Sequence, residues 1–168
     1  MAERAYIGLG SNLDRPEQQI ARAVSALQQL PGSRWIAVSP LYGSLPWGDP
    51  DQANYVNAVA AIDTSLSPRQ LLLAMLEIEQ AQGRDRSSGR RNGPRTLDLD
   101  LLLYGSASID EPDLQLPHPR LQDRAFVLLP LADLSPELIL PGSVPLRSLL
   151  SPEFASLCWR LPATCAPN

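Results

Sequence analysis

Asp98 and Asp100 are the residues whose types and spacing most directly suggest chemistry. They stand one residue apart in Leu97-Asp98-Leu99-Asp100-Leu101-Leu102-Leu103-Tyr104, a run that reads as a strand. Side chains alternate along a strand, so both carboxylates project from one face while Leu97, Leu99 and Leu101 project from the other. Their Cα atoms then lie roughly 7 Å apart. Carboxylates so placed repel each other, and a divalent cation between them, or a pair of cations, relieves that repulsion. A half-buried strand with a wet acidic face has the same pattern, so the run gains meaning from what precedes it. Residues 84–96 are almost free of apolar side chains and hold Arg84, Arg86, Arg90, Arg91 and Arg95 against one acid, Asp85. Crowded guanidinium groups repel one another without an anion, and they take phosphate oxygens bidentately. Metal-binding acids beside an arginine loop are what phosphoryl transfer requires, with Mg²⁺ bridging phosphate oxygens and arginine neutralising the developing charge.

The rest of the inventory narrows the chemistry by exclusion. All 14 cationic residues are arginine and there is no lysine. A lysine phosphate loop and Schiff-base catalysis are therefore excluded. His118 is the only histidine, and Cys158 and Cys165 are the only cysteines, too few for a Cys₄ or Cys₂His₂ zinc site. Carboxylate oxygen remains for a metal, which suits Mg²⁺ or Ca²⁺. The net charge of −4 argues against general affinity for nucleic acid or acidic membranes. The N-terminal residues lack a basic-then-apolar leader pattern, and no apolar run approaches the roughly 20 residues of a membrane span. These features predict a cytoplasmic protein whose residues 1–168 form one domain.

Other candidates carry weaker signals. His118 lies in Leu116-Pro117-His118-Pro119-Arg120, and Arg124 and Phe126 follow it. Tyr55 and Asn57 occupy alternate positions of a predicted strand and so share a face. An aromatic ring with an amide on one face can hold a flat heterocycle by stacking and edge hydrogen bonds.

These residues need elements to position them. Residues 4–9 predict a first strand, and Gly10-Ser11-Asn12 a turn. Asp14 is expected to cap a helix with Pro16 and Glu17 in its first turn and Ile20, Ala23, Val24, Leu27 and Leu30 on one face, stopped by Pro31-Gly32. Residues 34–42 predict a second strand, 43–53 a loop, and 55–64 a third strand. Ser67-Pro68-Arg69-Gln70 has the pattern of a capping box, and Gly83 ends the helix that follows. Residues 97–104 supply the fourth strand. Ten of the 17 prolines lie between Pro112 and Pro167, predicting short helices joined by Pro-stopped loops. The order strand, helix, strand, strand, helix, strand predicts an α+β fold. It would have a ferredoxin-like antiparallel βαββαβ sheet, helices on both faces, and a Pro-rich C-terminal extension.

Taken whole, Arg91-Asn92-Gly93-Pro94-Arg95-Thr96-Leu97-Asp98-Leu99-Asp100-Leu101-Leu102 closely resembles the hallmark segment of the 6-hydroxymethyl-7,8-dihydropterin pyrophosphokinases of folate synthesis. The strings Tyr6 to Leu13, Asp51 to Ala58, Leu116 to Pro119 and Arg124 to Phe126 are similar to other segments of that family. The resemblance spans about residues 4–150. It implies a ferredoxin-like fold and transfer of diphosphate from ATP to the pterin hydroxymethyl oxygen, with release of AMP. It further implies that Asp98 and Asp100 ligate two Mg²⁺ ions, and that Arg84 and Arg95 close over the triphosphate as catalytic residues. On the same basis, Glu79, Arg86, His118 and Arg124 face the nucleotide. Tyr55 and Phe126 sandwich the pterin, Asn57 bonds its edge, and Ser44, Leu45 and Trp47 line its pocket. The implied partners are ATP and the pterin, with no nucleic acid or membrane, and the implied state is a monomer. Asn92 and Pro119 stand where the family often has Trp and Tyr. Two other readings share some features: an RNA-binding module with the same element order, and a different Mg²⁺-dependent nucleotidyl or phosphohydrolase enzyme. Salt-sensitive RNA binding would point to the RNA-binding module, and pterin binding separates the other Mg²⁺ enzyme from the pyrophosphokinase reading.

Overall fold

Nine residues at the N-terminus, Glu3–Ser11, form strand β1, buried on both faces from Ala5 onward. The computed structural model describes residues 2–46, 51–83 and 96–162. The chain continues through α1 (Pro16–Gln28), β2 (Ser33–Val38), β3 (Tyr42–Ser44), β4 (Tyr55–Thr64), α2 (Pro68–Ala81) and β5 (Asp98–Tyr104). After these come β6 (Ile109–Glu111), β7 (Leu114–Leu116), α3 (Ala125–Leu134), β8 (Ile139–Leu140), β9 (Val144–Pro145), α4 (Pro152–Ala155) and β10 (Cys158–Arg160). The main sheet runs β5-β1-β4-β3-β10, and β2 also pairs with β4; every pairing is antiparallel. The molecule is thus a mixed α and β fold on an antiparallel sheet.

The sheet separates two cores. On one face Ile20, Ala23 and Leu27 of α1 and Leu71, Met75 and Ile78 of α2 pack against Ala5, Ile7, Leu9, Ala60, Ile62, Leu99 and Leu101. On the other, Val127, Leu128 and Leu131 of α3 pack with Tyr6, Val59, Ala61, Leu102 and Leu103. Burying apolar area at roughly 25 cal/mol per Å² makes these two clusters the main source of stability. No helix among the described residues is long and apolar enough to cross a membrane.

Helix α2 starts as its sequence predicts. Ser67 Oγ accepts the Gln70 N–H at 3.1 Å, Gln70 Oε1 accepts the Ser67 N–H at 2.9 Å, and Pro68 opens the first turn. Helix α1 differs. Arg15, not Asp14, stands at its N-cap, and no side chain caps it. Asp14 (φ 53°) and Arg15 (φ 61°) both take the left-handed region, whereas a capping side chain needs an extended backbone to reach back over the free N–H groups.

Three further expectations are corrected. Gly10 and Ser11 are not a turn; they are the last rungs of β1, paired with Asn57 and Val56. The expected second strand breaks at Ser39-Pro40, since proline has no N–H for the ladder. It resumes as β3, which takes Gly43 and Ser44 out of the expected loop. The C-terminal third holds more than short helices. It contains the ten-residue α3 with Pro130 inside it, two short hairpins, and an edge strand that joins the main sheet. Proline breaks a helical reading of the sequence, while burial of α3 against the sheet holds the helix together across Pro130.

Candidate active site

The cleft begins with two missing side chains. Tyr6 of β1 packs against α3, and the next positions on that side of the strand are Gly8 and Gly10. In register, Gly8 pairs with Asp100 of β5, while Gly10 pairs with Asp98 of β5 and with Asn57 of β4. The sheet surface therefore drops between the β5 carboxylates on one side and Asn57 and Tyr55 on the other. A Cβ on Gly10 would stand 3.5 Å from Asn57 Oδ1 and 3.7 Å from Tyr55 Cδ1, inside the gap. The gap holds about 720 Å³ of empty space, part of it open to solvent, and Ser44, Leu45, Arg120, Arg124, Phe126 and Val127 complete its lining.

One wall is charged. Asp98 and Asp100 are half-buried on a single side of β5, while Leu97, Leu99 and Leu101 are buried on the other, as the alternation predicts. Arg124 Nη1 lies 3.5 Å from Asp100 Oδ2, and His118 Nε2 lies 3.9 Å from Asp100 Oδ1. His118 is held by its own N–H, which donates to the Leu102 carbonyl at 2.9 Å, and by its Nδ1, which accepts the Arg120 N–H at 3.2 Å. An accepting Nδ1 puts the proton of the neutral ring on Nε2, toward Asp100. Burial, and next the Arg124 cation, lower the His118 pKa to about 4 against the pull of Asp98, so the ring is neutral at pH 7. Arg124 Nε is buried with no hydrogen-bond partner among the described residues, so it is a donor that an anion could take up.

The other wall is amide and aromatic. Asn57, 4% exposed, donates from Nδ2 to Ser44 Oγ at 2.8 Å and to the Tyr42 carbonyl at 3.3 Å. Its Oδ1 is left facing the space above Gly10. Tyr55 comes from β4 and Phe126 from the first turn of α3, so two aromatic rings on different elements line one cleft. The Arg124 guanidinium sits 5.6 Å from the Phe126 ring centroid, tying the two walls together.

Eight of the expected residues thus line one cleft: Ser44, Leu45, Tyr55, Asn57, Asp98, Asp100, Arg124 and Phe126. His118 touches its charged end. Glu79 does not line it; this residue is buried at 1% exposure behind β5, where its Oε2 accepts the Leu99 N–H at 3.4 Å between the two aspartates. Trp47, Arg84, Arg86 and Arg95 lie outside the described residues. Sequence reasoning missed Gly8 and Gly10 as the floor, although Ile7-Gly8-Leu9-Gly10 alternates apolar residues with bare ones at the strand period. It also missed Arg120, which sits in the quoted Leu116–Arg120 string.

Two carboxylates suit hard cations. Among the described residues no group of three or more His, Cys, Asp or Glu converges as a closed metal cage. A Mg²⁺ ion held by Asp98 and Asp100 would keep most coordination positions for phosphate oxygens and water, which is the usual Mg²⁺ arrangement at nucleotide sites.

Known proteins resemble this chain in sequence and in fold. A family model described as 7,8-dihydro-6-hydroxymethylpterin-pyrophosphokinase matches residues 6–136. A 2-amino-4-hydroxy-6-hydroxymethyldihydropteridine pyrophosphokinase of Pseudomonas aeruginosa is 53% identical over 151 residues, covering 90% of this chain and 92% of that one. The Haemophilus influenzae protein of the same name is 46% identical with the same coverage. Among solved structures, wild-type Plasmodium falciparum HPPK-DHPS with pterin and p-hydroxybenzoate aligns with a TM-score of 0.69. Its 16% identity makes that a likeness of fold, and the alignment covers 89% of this chain and 42% of the longer one. With its family model spanning the paired carboxylates, the glycine floor and both aromatic residues, this chain belongs to the 7,8-dihydro-6-hydroxymethylpterin-pyrophosphokinase family.

Proposed function

We propose that this cleft transfers diphosphate from ATP to the hydroxymethyl group of 6-hydroxymethyl-7,8-dihydropterin, giving AMP and the pterin diphosphate, the pyrophosphokinase step of folate biosynthesis. The observation that carries the reading is the pair of unlike walls facing each other across Gly8 and Gly10. One suits a metal-bound phosphate chain and the other a flat heterocycle.

Asp98 and Asp100 would hold Mg²⁺, two ions being expected with ATP; bound there, Mg²⁺ supplies charge neutralisation on the phosphate oxygens. Arg124 brings Nη1 and the unpartnered Nε to the same end, and neutral His118 offers its Nε2–H. Glu79, one layer behind, fixes the strand that carries both acids. Arg84, Arg86 and Arg95 would supply positive charge to the triphosphate. Tyr55 and Phe126 flank the pterin, Asn57 Oδ1 accepts from its edge, and Ser44, Leu45 and Trp47 border the ring. Phosphoryl transfer asks little covalent work of the protein, so these residues act by positioning and charge stabilisation.

The order β5-β1-β4-β2, with α1 and α2 on one face, supports a ferredoxin-like layout over one domain. The same reading makes the enzyme a cytoplasmic monomer that takes ATP and the pterin, with no nucleic-acid or membrane partner. Incubation with ATP, Mg²⁺ and the hydroxymethyl pterin is expected to release AMP, and chelation of Mg²⁺ to stop it. Release of ADP alone, or no turnover, overturns the reading.

A further inference from the structure

We propose that the C-terminal strand β10 is a positioning element for the pterin wall of the cleft, acting through β3 and α3 without touching substrate. The inference rests on the reading that Asn57 and Phe126 hold the pterin. Nothing in Cys158-Trp159-Arg160 announces chemistry, yet each residue reaches a different part of that wall.

Cys158 pairs with Ser44, the residue that holds the Asn57 amide. Its side chain is buried with Tyr42 and Ala125, and Phe126 packs against this cluster. Burial raises the thiol to about 11, so it stays uncharged and acts as a small apolar filler. Trp159 pairs with Gly43, and a side chain at Gly43 would collide with its indole ring, so the bare position lets the ring lie across β3. Arg160 pairs with Tyr42 and places Nη2 3.2 Å from Asp133 Oδ2. The Tyr42 hydroxyl donates to the same Asp133 oxygen. Beyond the strand, the Leu161 N–H donates to the Leu41 carbonyl at 2.9 Å.

These contacts support both halves of the pterin wall. Asp133 lies in the last turn of α3, and Phe126 in the first, about 10 Å away at the helical rise. Pro130 lies between them, and burial of Val127, Leu128 and Leu131 against the sheet carries the coupling across it. Fixing Asp133 through Tyr42 and Arg160, and Ala125 against Cys158, therefore sets the position of the Phe126 ring above β4. On the sheet side, β3 has only three residues, with β4 on one edge and β10 on the other. Without β10 it would be a short edge strand, open to local fraying that carries Ser44 and Asn57 with it. Tyr6 Oη also bonds Ser135 Oγ at 2.7 Å, so α3 keeps a tether to β1 when the Asp133 clamp is cut. The expected failure is thus a loosened wall rather than an unfolded protein.

The test uses the full chain. Arg160→Glu sets an acid against Asp133, and pterin binding is followed by fluorescence titration in the presence of Mg²⁺ and a saturating non-hydrolysable ATP analogue. Pterin affinity is expected to fall about fivefold, with affinity for the ATP analogue unchanged because Arg124 keeps its own ion pair with Asp100 of β5, and Arg160→Lys is expected to behave as wild type. If Arg160→Glu does not fold, Asp133→Asn removes the shared charge while keeping the shape, and an effect of about threefold in the same direction is expected. Unchanged pterin affinity in a folded variant, or pterin and ATP affinities falling together, overturns the proposal. A wild-type protein that binds no pterin overturns instead the reading on which it rests.

Discussion

The α3 side of the sheet has a closed half and an open half, although the same three strands run through both. In the closed half Tyr6, Val59 and Leu102 pack against Leu128 and Leu131 in an apolar cluster, with the Tyr6 hydroxyl bonded to Ser135 Oγ at its edge. Two residues further along β1 the side chains vanish at Gly8 and Gly10, and the flanking residues change from Ala61 and Leu103 beside Tyr6 to Val59 and Asp100 beside Gly8, and then to Asn57 and Asp98 beside Gly10. The cleft is therefore cut into the sheet itself. Its two carboxylates and Asn57 sit on paired strands, whose hydrogen-bond ladders hold them in fixed register better than a loop would. The closed half anchors α3, and α3 delivers Arg124 and Phe126 to the open half.

If this division is right, changes in the two halves must show up in different measurements. The largest effect is expected at the acids. Asp98→Ala or Asp100→Ala should lower turnover by about 10³-fold or more, since on the proposed reading each removes a carboxylate that holds Mg²⁺ against the developing charge. Both acids are half-exposed, so the melting temperature should stay within a few degrees; AMP release and a thermal melt check the two statements. Leu128→Ala, in the closed half, should cost about 2–5 kcal/mol of stability in urea unfolding, because that residue is fully buried. Ligand affinities of its folded fraction should match wild type. Gly10→Val fills the floor between the walls and should weaken pterin binding about tenfold, about 1.4 kcal/mol, without lowering stability, since a β-branched residue suits a strand. Loss of stability with unchanged pterin affinity would move the cleft floor elsewhere.

The smallest effect lies at the far end of β4. Asp63 takes hydrogen bonds from Arg4 and Arg34, and they hold its carboxyl at about 2. Its folded value is below its unfolded one. The stability it adds is therefore present above about pH 4 and is lost as pH falls toward 2. Arg34 is largely exposed, so water and salt screen the pair and the change is small. Asp63→Asn should flatten this part of a stability-against-pH curve and leave turnover at neutral pH untouched.

Legibility in the sequence followed the range of the interactions. The α2 capping box is built within four residues, and both acids share a face because strand alternation needs no partner. The start of α1 is not legible in the sequence because its left-handed Asp14 and Arg15 have no compositional mark. Gly43 and Ser44 of β3 read as loop because a three-residue strand is too short to show a period, and only pairing with β4 and β10 makes it one. Helix α3 was hidden by Pro130 and by an apolar surface with no single face.

By itself the sequence determined the chemistry on offer: two carboxylates on one side of a strand, arginine as the only fixed cation, an aromatic and an amide on another strand, and strings that mark the family. Each is a property of neighbouring residues. The tertiary structure alone decided that Gly10 lies between Asp98 and Asn57, that Arg124 reaches Asp100, and that β10 backs the wall carrying Phe126. Those relations join residues far apart in the chain. They follow from strand register and helix packing, which are set by burying two cores at once and not by any local pattern.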